Sequence, residues 1–203
     1  MSQYNIIAES AEYTVVSEYE HAASTSEAYQ SEAELEKEFI RLLTEQGYEY
    51  LPIHTEADLI SNLRTCLEKL NGYRFTDNEW EHFFNECIAN KNDDIVAKTA
   101  RIQEDYIQVL KRDNGESRNI YLIDKKNIHN NFVQVINQYV EEGGSYDTRY
   151  DVTVLVNGLP LVHIELKRRG VQLKEAFNQI NRYQRDSFWA GCGLYEYVQI
   201  FVI

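Results

Sequence analysis

Two acidic residues and one lysine stand in otherwise apolar runs of this sequence. Asp151 begins the run 151–156, and Glu165 and Lys167 end the run 161–167. Two carboxylates that meet bind a hard divalent cation such as Mg²⁺ or Mn²⁺, and an ammonium group beside them stabilises charge on a phosphoryl group. The residue types therefore indicate metal-dependent phosphodiester hydrolysis. From spacing alone, a buried ion pair with no catalytic role is the stronger interpretation.

The connection between the two runs decides whether the acids can meet. Glu165 and Lys167 are two residues apart and share one face of a strand. A three-residue connection at 157–159 would set Asp151 directly opposite Glu165, with Cβ atoms about 5 Å apart. A two- or four-residue loop would turn the carboxylates to opposite faces of the sheet. The chemistry therefore requires an odd-length connection or a bulge.

A helix predicted over 172–186 adds polar residues to this pattern. Gln179 and Tyr183 are four residues apart beside its apolar stripe, and Arg182 and Arg185 lie on the same segment. These side chains are suited to holding a phosphate backbone or to hydrogen-bonding the carboxylates. Taken alone, the Q-x-x-x-Y spacing is more typical of a solvated helix edge than of a functional motif.

The rest of the chain must supply the scaffold that positions these residues. Apolar periodicity, capping signals and turn residues predict helices over 31–45, 57–71, 76–88 and 94–103, a hairpin around 113–115, and strands over 128–137, 150–167 and 195–203. Residues 1–30 are predicted to form an irregular arm with at most one short strand near Tyr13–Val16. The pattern predicts an α/β fold with a mixed central sheet flanked by helices.

Length and composition exclude several classes of protein. With 203 residues, 43% of them hydrophobic, the chain suits one globular domain rather than a disordered segment. It has no apolar run near the roughly 18 residues that cross a bilayer, and its first residues lack signal-peptide character. A cytoplasmic location is therefore expected. Three widely spaced cysteines suggest neither a disulfide framework nor a zinc site.

Charge is distributed unevenly along the chain. Residues 149–186 carry seven basic and four acidic side chains, although the whole chain has a net charge of -13. The segment with the candidate chemistry is thus locally basic inside an acidic protein. An acidic DNA mimic or protein-interaction module is an alternative that explains the net charge. It does not explain ionisable residues in apolar strands.

The segment 156–168, preceded by Asp151 and followed by Gln179 and Tyr183, resembles the N-terminal nuclease domain of the restriction (motor, R) subunit of type I restriction-modification enzymes. The segments 42–48 and 130–138 also resemble that family. The resemblance covers roughly residues 31–203, so we expect an N-terminal arm at 1–30 and a nuclease domain at 31–203.

The resemblance implies a restriction-endonuclease-like PD-(D/E)xK core with the RecB-like Q-x-x-x-Y motif, cutting double-stranded DNA with Mg²⁺. It assigns Asp151 and Glu165 as metal-binding acids, Lys167 as the catalytic lysine, and Gln179 and Tyr183 as the additional motif. The proline that gives the motif its name is absent here, a departure at a position that varies within the family.

Such nucleases usually place a further acid on the first core helix. Glu36 is the predicted residue, as an additional metal ligand, and Glu32 is the alternative. No G-x-x-x-x-G-K-[ST] loop is present, so ATP is expected to bind in downstream domains of a longer chain. The implied partners are DNA and the modification (methyltransferase) and specificity subunits. A stand-alone RecB-like nuclease is the nearer alternative, although it would ordinarily need a more basic surface.

Overall fold

A computed structural model describes residues 4–9, 15–19, 31–141, 148–167 and 193–203 of the chain. The helices are α1 (Glu32–Glu45), α2 (Glu56–Asn71), α3 (Asp77–Phe83) and α4 (Ile95–Gln103). The strands are β1 (Tyr4–Glu9), β2 (Val15–Tyr19), β3 (Glu49–Tyr50), β4 (Ile107–Lys111), β5 (Ser117–Tyr121), β6 (Val133–Glu141), β7 (Thr148–Val156), β8 (Leu159–Ile164) and β9 (Ile200–Val202).

A five-stranded mixed sheet forms the centre, in the order β3-β6-β7-β8-β9. Strands β6, β7 and β8 are antiparallel, and β3 and β9 are each parallel to their neighbours. The predicted α/β class is confirmed, and the architecture is consistent with a restriction-endonuclease-like fold. Strands β7 and β8 therefore lie in the interior of the sheet, as their apolar runs predicted.

Apolar clusters cover both faces of this sheet. On one side, Phe39 and Leu43 of α1 pack with Val152, Val154 and Ile164. On the other side, the larger cluster joins residues of α2, α3, α4 and the β4-β5 hairpin to the sheet. Because adjacent side chains of β7 enter clusters on opposite sides of the sheet, this strand is apolar on both faces.

The helices begin and end where the sequence predicted. Ser31 and Thr76 each form a capping box with the glutamate three residues later. Gly72 ends α2 in the left-handed conformation that glycine adopts most easily. The predicted third helix continues beyond α3 as a π-helical turn at Phe84–Ile88. None of the helices in the described ranges has the length and apolar character that a bilayer crossing requires.

Three strand predictions differ from the structure. The first 30 residues contain two strands, β1 and β2, paired antiparallel, where at most one was predicted. Each segment is short, and the pairing that stabilises both is not visible in either one alone. The strand predicted over 128–137 begins later, because a 3-10 turn occupies Ile128–Asn130. The last predicted strand shortens to β9 after a second 3-10 turn at Leu194–Tyr197.

Candidate active site

A two-residue turn joins β7 to β8, not the three-residue connection considered from the sequence. Asn157 and Gly158 both have positive φ, +51° and +84°, as a type I′ turn requires. The Asn157 side chain is fully buried, accepts a hydrogen bond from Phe132 N at 2.8 Å and donates to Leu122 O at 2.9 Å. These bonds fix the turn on the segment 122–132 of the same chain.

A β-bulge restores the register that the two-residue turn would otherwise shift. The pairing of β7 with β8 slips by one residue, which leaves Leu161 as the extra residue of the bulge. Beyond it Val152 pairs with Ile164, and the continued register sets Asp151 opposite Glu165. The chemistry inferred from the sequence requires an odd-length connection or a bulge, and the structure has the bulge.

Three of the predicted site residues are brought together at this end of the hairpin. The Asp151 carboxylate accepts a hydrogen bond from Leu166 N at 3.0 Å. The Lys167 ammonium donates to Glu165 Oε1 at 2.6 Å. Glu165 is fully buried, whereas the Lys167 side chain is partly exposed. The site therefore combines a buried carboxylate, a half-buried carboxylate and an ammonium group that solvent can reach.

The second oxygen of Glu165 faces a histidine that the sequence analysis did not single out. Glu165 Oε2 lies 3.6 Å from Nε2 of His163, which is itself fully buried. Among the described residues, no donor comes within hydrogen-bonding distance of Oε2. His163 lies two residues before Glu165 in the same run, and that spacing was the signal that could have identified it.

The two carboxylates have pKa values displaced in opposite directions. Burial and the nearby charge of Glu165 raise the pKa of Asp151 to about 6, against the opposing effects of Leu166 N–H and Lys167. Burial also opposes ionisation of Glu165, but contacts with His163 and Lys167 hold its pKa below the usual value. A divalent cation would relieve the repulsion between these acids, so the pair suits such an ion.

Lys167 remains an ammonium group at neutral pH. Although burial opposes its charge, the hydrogen bond to Glu165 and the negative charge of both carboxylates raise its pKa. A protonated lysine cannot accept a proton, so Lys167 is suited to stabilising negative charge and not to acting as a general base.

Glu36, the acid predicted from helix α1, lies near this group but is held by two amides. Its Oε1 accepts a hydrogen bond from Asn137 Nδ2 at 2.6 Å, and its Oε2 accepts one from Gln138 Nε2. The negative charge of Glu36 contributes to raising the pKa of Asp151. Within the described residues, no three His, Cys, Asp or Glu side chains lie close enough together to hold a metal ion. The role of Glu36 as a ligand, with Glu32 as its alternative, stays a prediction.

The helix predicted over 172–186 lies outside the described residues. The assignments of Gln179, Tyr183, Arg182 and Arg185 therefore stay predictions.

Most of the chain is similar to proteins of one family. The family described as type I restriction enzyme R protein N terminus matches residues 29–203, which is most of the sequence. The chain belongs to this family. The hairpin with Asp151 and Glu165 thus lies within the N-terminal region of an R protein.

Curated relatives of this R-protein region carry type I restriction enzyme names. The EcoprrI endonuclease subunit of Escherichia coli is 46% identical over 198 residues, covering 97% of this chain and 63% of the relative. The SsaAORF53P endonuclease subunit of Staphylococcus saprophyticus is 41% identical over 180 residues, covering 86% of this chain and 18% of the relative. The HindI endonuclease subunit of Haemophilus influenzae is 27% identical, with coverages of 77% and 17%. The chain spans only part of each relative.

If Asp151 and Glu165 hold a metal ion, the raised pKa of Asp151 predicts that this binding depends on pH. The folded state holds the Asp151 proton more tightly than the unfolded state, because the pKa rises from 3.8 to about 6. The stability this group contributes is complete below about pH 4 and is lost as the pH rises through about 6. Metal binding requires the carboxylate form, so we expect Mn²⁺ affinity to increase between pH 5 and pH 7.

Titration calorimetry with Mn²⁺ at several pH values measures this dependence, and Asp151→Asn is the matched control. The variant should bind Mn²⁺ weakly at every pH in that range. An affinity that stays constant from pH 5 to pH 7 in the wild-type chain would contradict the prediction.

Proposed function

We propose that residues 31–203 form the nuclease domain of a type I restriction enzyme R protein, which hydrolyses phosphodiester bonds of double-stranded DNA with a divalent metal ion. The observation that carries the proposal is the bulge in the β7-β8 hairpin, which sets Asp151 opposite Glu165 with Lys167 alongside. A buried ion pair alone needs only one acid and one base. The second acid, whose pKa is raised by burial and by the charge of the first, is what distinguishes this group.

Asp151 and Glu165 would hold the metal ion, and their oxygen ligands favour Mg²⁺ or Mn²⁺. When bound, that ion would polarise a phosphoryl oxygen and lower the pKa of a water molecule. The remaining chemistry belongs to the side chains. The buried carboxylate of Glu165 is held in a fixed position, because Lys167 lies against one of its oxygens and His163 against the other. The half-buried Asp151 supplies the second carboxylate where solvent and substrate can approach.

Lys167 serves as the positive group that faces the reacting phosphate. Its raised pKa keeps it charged, and a fixed ammonium group stabilises negative charge that develops on phosphoryl oxygens. The family resemblance supports Gln179 and Tyr183 as positioning residues for this site. Arg182 and Arg185 are proposed to contact the DNA backbone on the basis of their charge.

ATP binding, DNA translocation and the choice of DNA site are proposed to belong to other parts of the complete enzyme. The relatives are named as endonuclease subunits of type I restriction enzymes and are longer than this chain. We therefore propose that ATP binds in the remainder of the R protein and drives translocation of DNA. Modification and specificity subunits would complete a cytoplasmic enzyme and choose the DNA site. The acidic interaction module remains the competing function, supported by the net charge of -13.

Replacement of Lys167 by alanine distinguishes these two functions. The test uses the complete restriction enzyme, assembled from the R protein that contains this chain and its modification and specificity subunits. We expect Lys167→Ala to slow cleavage of a plasmid carrying the recognition site by about 100-fold or more, because a preorganised positive group is lost. ATP hydrolysis should continue at the wild-type rate.

Lys126→Ala is the matched control, since Lys126 is exposed and its loop is bonded to the Asn157 turn, at the opposite end of the hairpin from Asp151. This control should cleave as the wild type does. If Lys167→Ala also cleaves normally, the lysine has no part in catalysis. An interaction module predicts that outcome.

A further inference from the structure

Strand β6 is interrupted opposite Asp151 by a residue in the left-handed conformation. Gln138 has a φ of +52°, which is uncommon for any residue other than glycine. The pairs on either side, Asn137 with Val152 and Tyr139 with Tyr150, are formed. The register places Gln138 opposite Asp151, but this one pair is missing. We refer to Gln138 and Asp151 as the interrupted pair.

On both strands, side chains two residues apart point to opposite faces of the sheet across the interrupted pair. On a regular strand, residues two apart point to the same side of the sheet. Here Val152 packs in the cluster under helix α1, whereas Tyr150 belongs to the cluster on the other face. On β6, likewise, Asn137 reaches α1 while Tyr139 joins the opposite cluster. The two-stranded ribbon therefore turns over where Asp151 lies.

A hydrogen-bonded anchor on helix α1 holds the strained backbone of Gln138. Its side-chain amide donates to Glu36 Oε2, and the amide of Asn137 donates to Glu36 Oε1 at 2.6 Å. Tyr50 in turn donates to Asn137 Oδ1 at 2.9 Å. Left-handed conformations of non-glycine residues persist where surrounding contacts over-determine them, and they cluster at functional sites.

We infer that Gln138 is a positioning residue for the candidate active site: its left-handed backbone, anchored on Glu36, turns β7 over so that Asp151 meets Glu165. The inference rests on the proposed function, because it assigns Gln138 a role toward the metal-binding pair. In this arrangement Glu36 acts through Gln138, since both of its oxygens already accept hydrogen bonds from amides.

Comparison of glycine with alanine at position 138 tests this inference. At an ordinary strand position alanine is more stable than glycine, whereas at a positive φ the order reverses. We expect Gln138→Gly to have a higher thermal midpoint than Gln138→Ala in the absence of metal. Mn²⁺ binding, measured by calorimetry well below both midpoints, should weaken about 10-fold or more in Gln138→Ala, as for other residues that orient metal ligands. Gln138→Gly should lose less affinity.

Val133 provides the matched control because it lies in the regular part of the same strand, paired with Val156. There we expect alanine to be more stable than glycine. If Gln138→Ala fails to fold while Gln138→Gly folds and binds Mn²⁺, the requirement for a left-handed backbone is supported. Alanine equal to or better than glycine at position 138, in midpoint and in affinity, would overturn the inference.

Asp151→Ala, measured in parallel, separates this inference from the proposed function. Loss of Mn²⁺ binding in Asp151→Ala, together with wild-type binding in both Gln138 variants, refutes only the positioning role. Wild-type Mn²⁺ binding by Asp151→Ala refutes the proposed metal site itself, whatever the Gln138 variants do.

Discussion

We expect Asp151→Ala and Glu165→Gln each to reduce DNA cleavage by the complete enzyme to background, while ATP hydrolysis continues. This is the expected result if the two carboxylates hold the metal ion. A Lewis acid contributes several kcal/mol to such a reaction, and each 1.4 kcal/mol is a factor of ten, so we expect a loss of about three orders of magnitude. Plasmid cleavage and ATP hydrolysis are measured on the same preparations.

The thermal midpoints of these variants show whether the loss is chemical or structural. Removal of Asp151 eliminates a half-buried charge next to Glu165, so its midpoint at pH 7 should stay unchanged or rise. Glu165→Gln keeps a hydrogen-bond acceptor for Lys167 and preserves the size of the side chain. If Glu165→Gln cleaves normally, or loses cleavage only because the protein unfolds, the metal-site assignment is wrong.

Gly158→Ala is expected to be strongly destabilising. A Cβ atom at this position would lie 2.5 Å from Leu63 Cα and 2.9 Å from Leu63 N, within the backbone of helix α2. Leu63 is fully buried, and its helix cannot move without disturbing the larger cluster. The positive φ of +84° adds strain. Together these effects predict a loss of roughly 3 to 5 kcal/mol in the free energy of unfolding.

Gly115→Ala is the matched control for this prediction. Gly115 has nearly the same φ, +85°, but a Cβ there meets nothing within 4 Å. The control should lose only about 1 to 2 kcal/mol of the free energy of unfolding, because alanine is strained at this positive φ. Urea unfolding of both variants measures the difference. Equal losses would show that the contact between the turn and α2 contributes little.

The sequence was sufficient for much of the scaffold because the relevant signals are local. Capping boxes at Ser31 and Thr76 and the left-handed Gly72 fix helix ends through bonds within a few residues. The hairpin at 113–115 follows from its turn residues in the same way. Because successive side chains of a strand alternate between its faces, Asp151 could face Glu165 only if the connection had an odd number of residues or the hairpin contained a bulge.

The features that the sequence did not reveal depend on contacts between distant residues. The choice of a two-residue turn plus a bulge accompanies the fit of Gly158 against α2, nearly a hundred positions earlier in the chain. The left-handed Gln138 depends on Glu36, which is 102 residues away. Nothing in the local sequence of β6 distinguishes Gln138 from an ordinary strand residue. Such pairs become visible only when the sheet and helix α1 are placed together.

Anomalous diffraction from crystals of the protein soaked in Mn²⁺ tests whether the hairpin carries a metal site. The proposed function predicts a Mn²⁺ peak within direct bonding distance of carboxylate oxygens of both Asp151 and Glu165, about 2.0 to 2.3 Å, with Lys167 close by. The peak should be absent from crystals of Asp151→Ala. Clear density for both carboxylates with no Mn²⁺ between them, and Lys167 still bonded to Glu165, would contradict the metal site and leave a buried ion pair in its place.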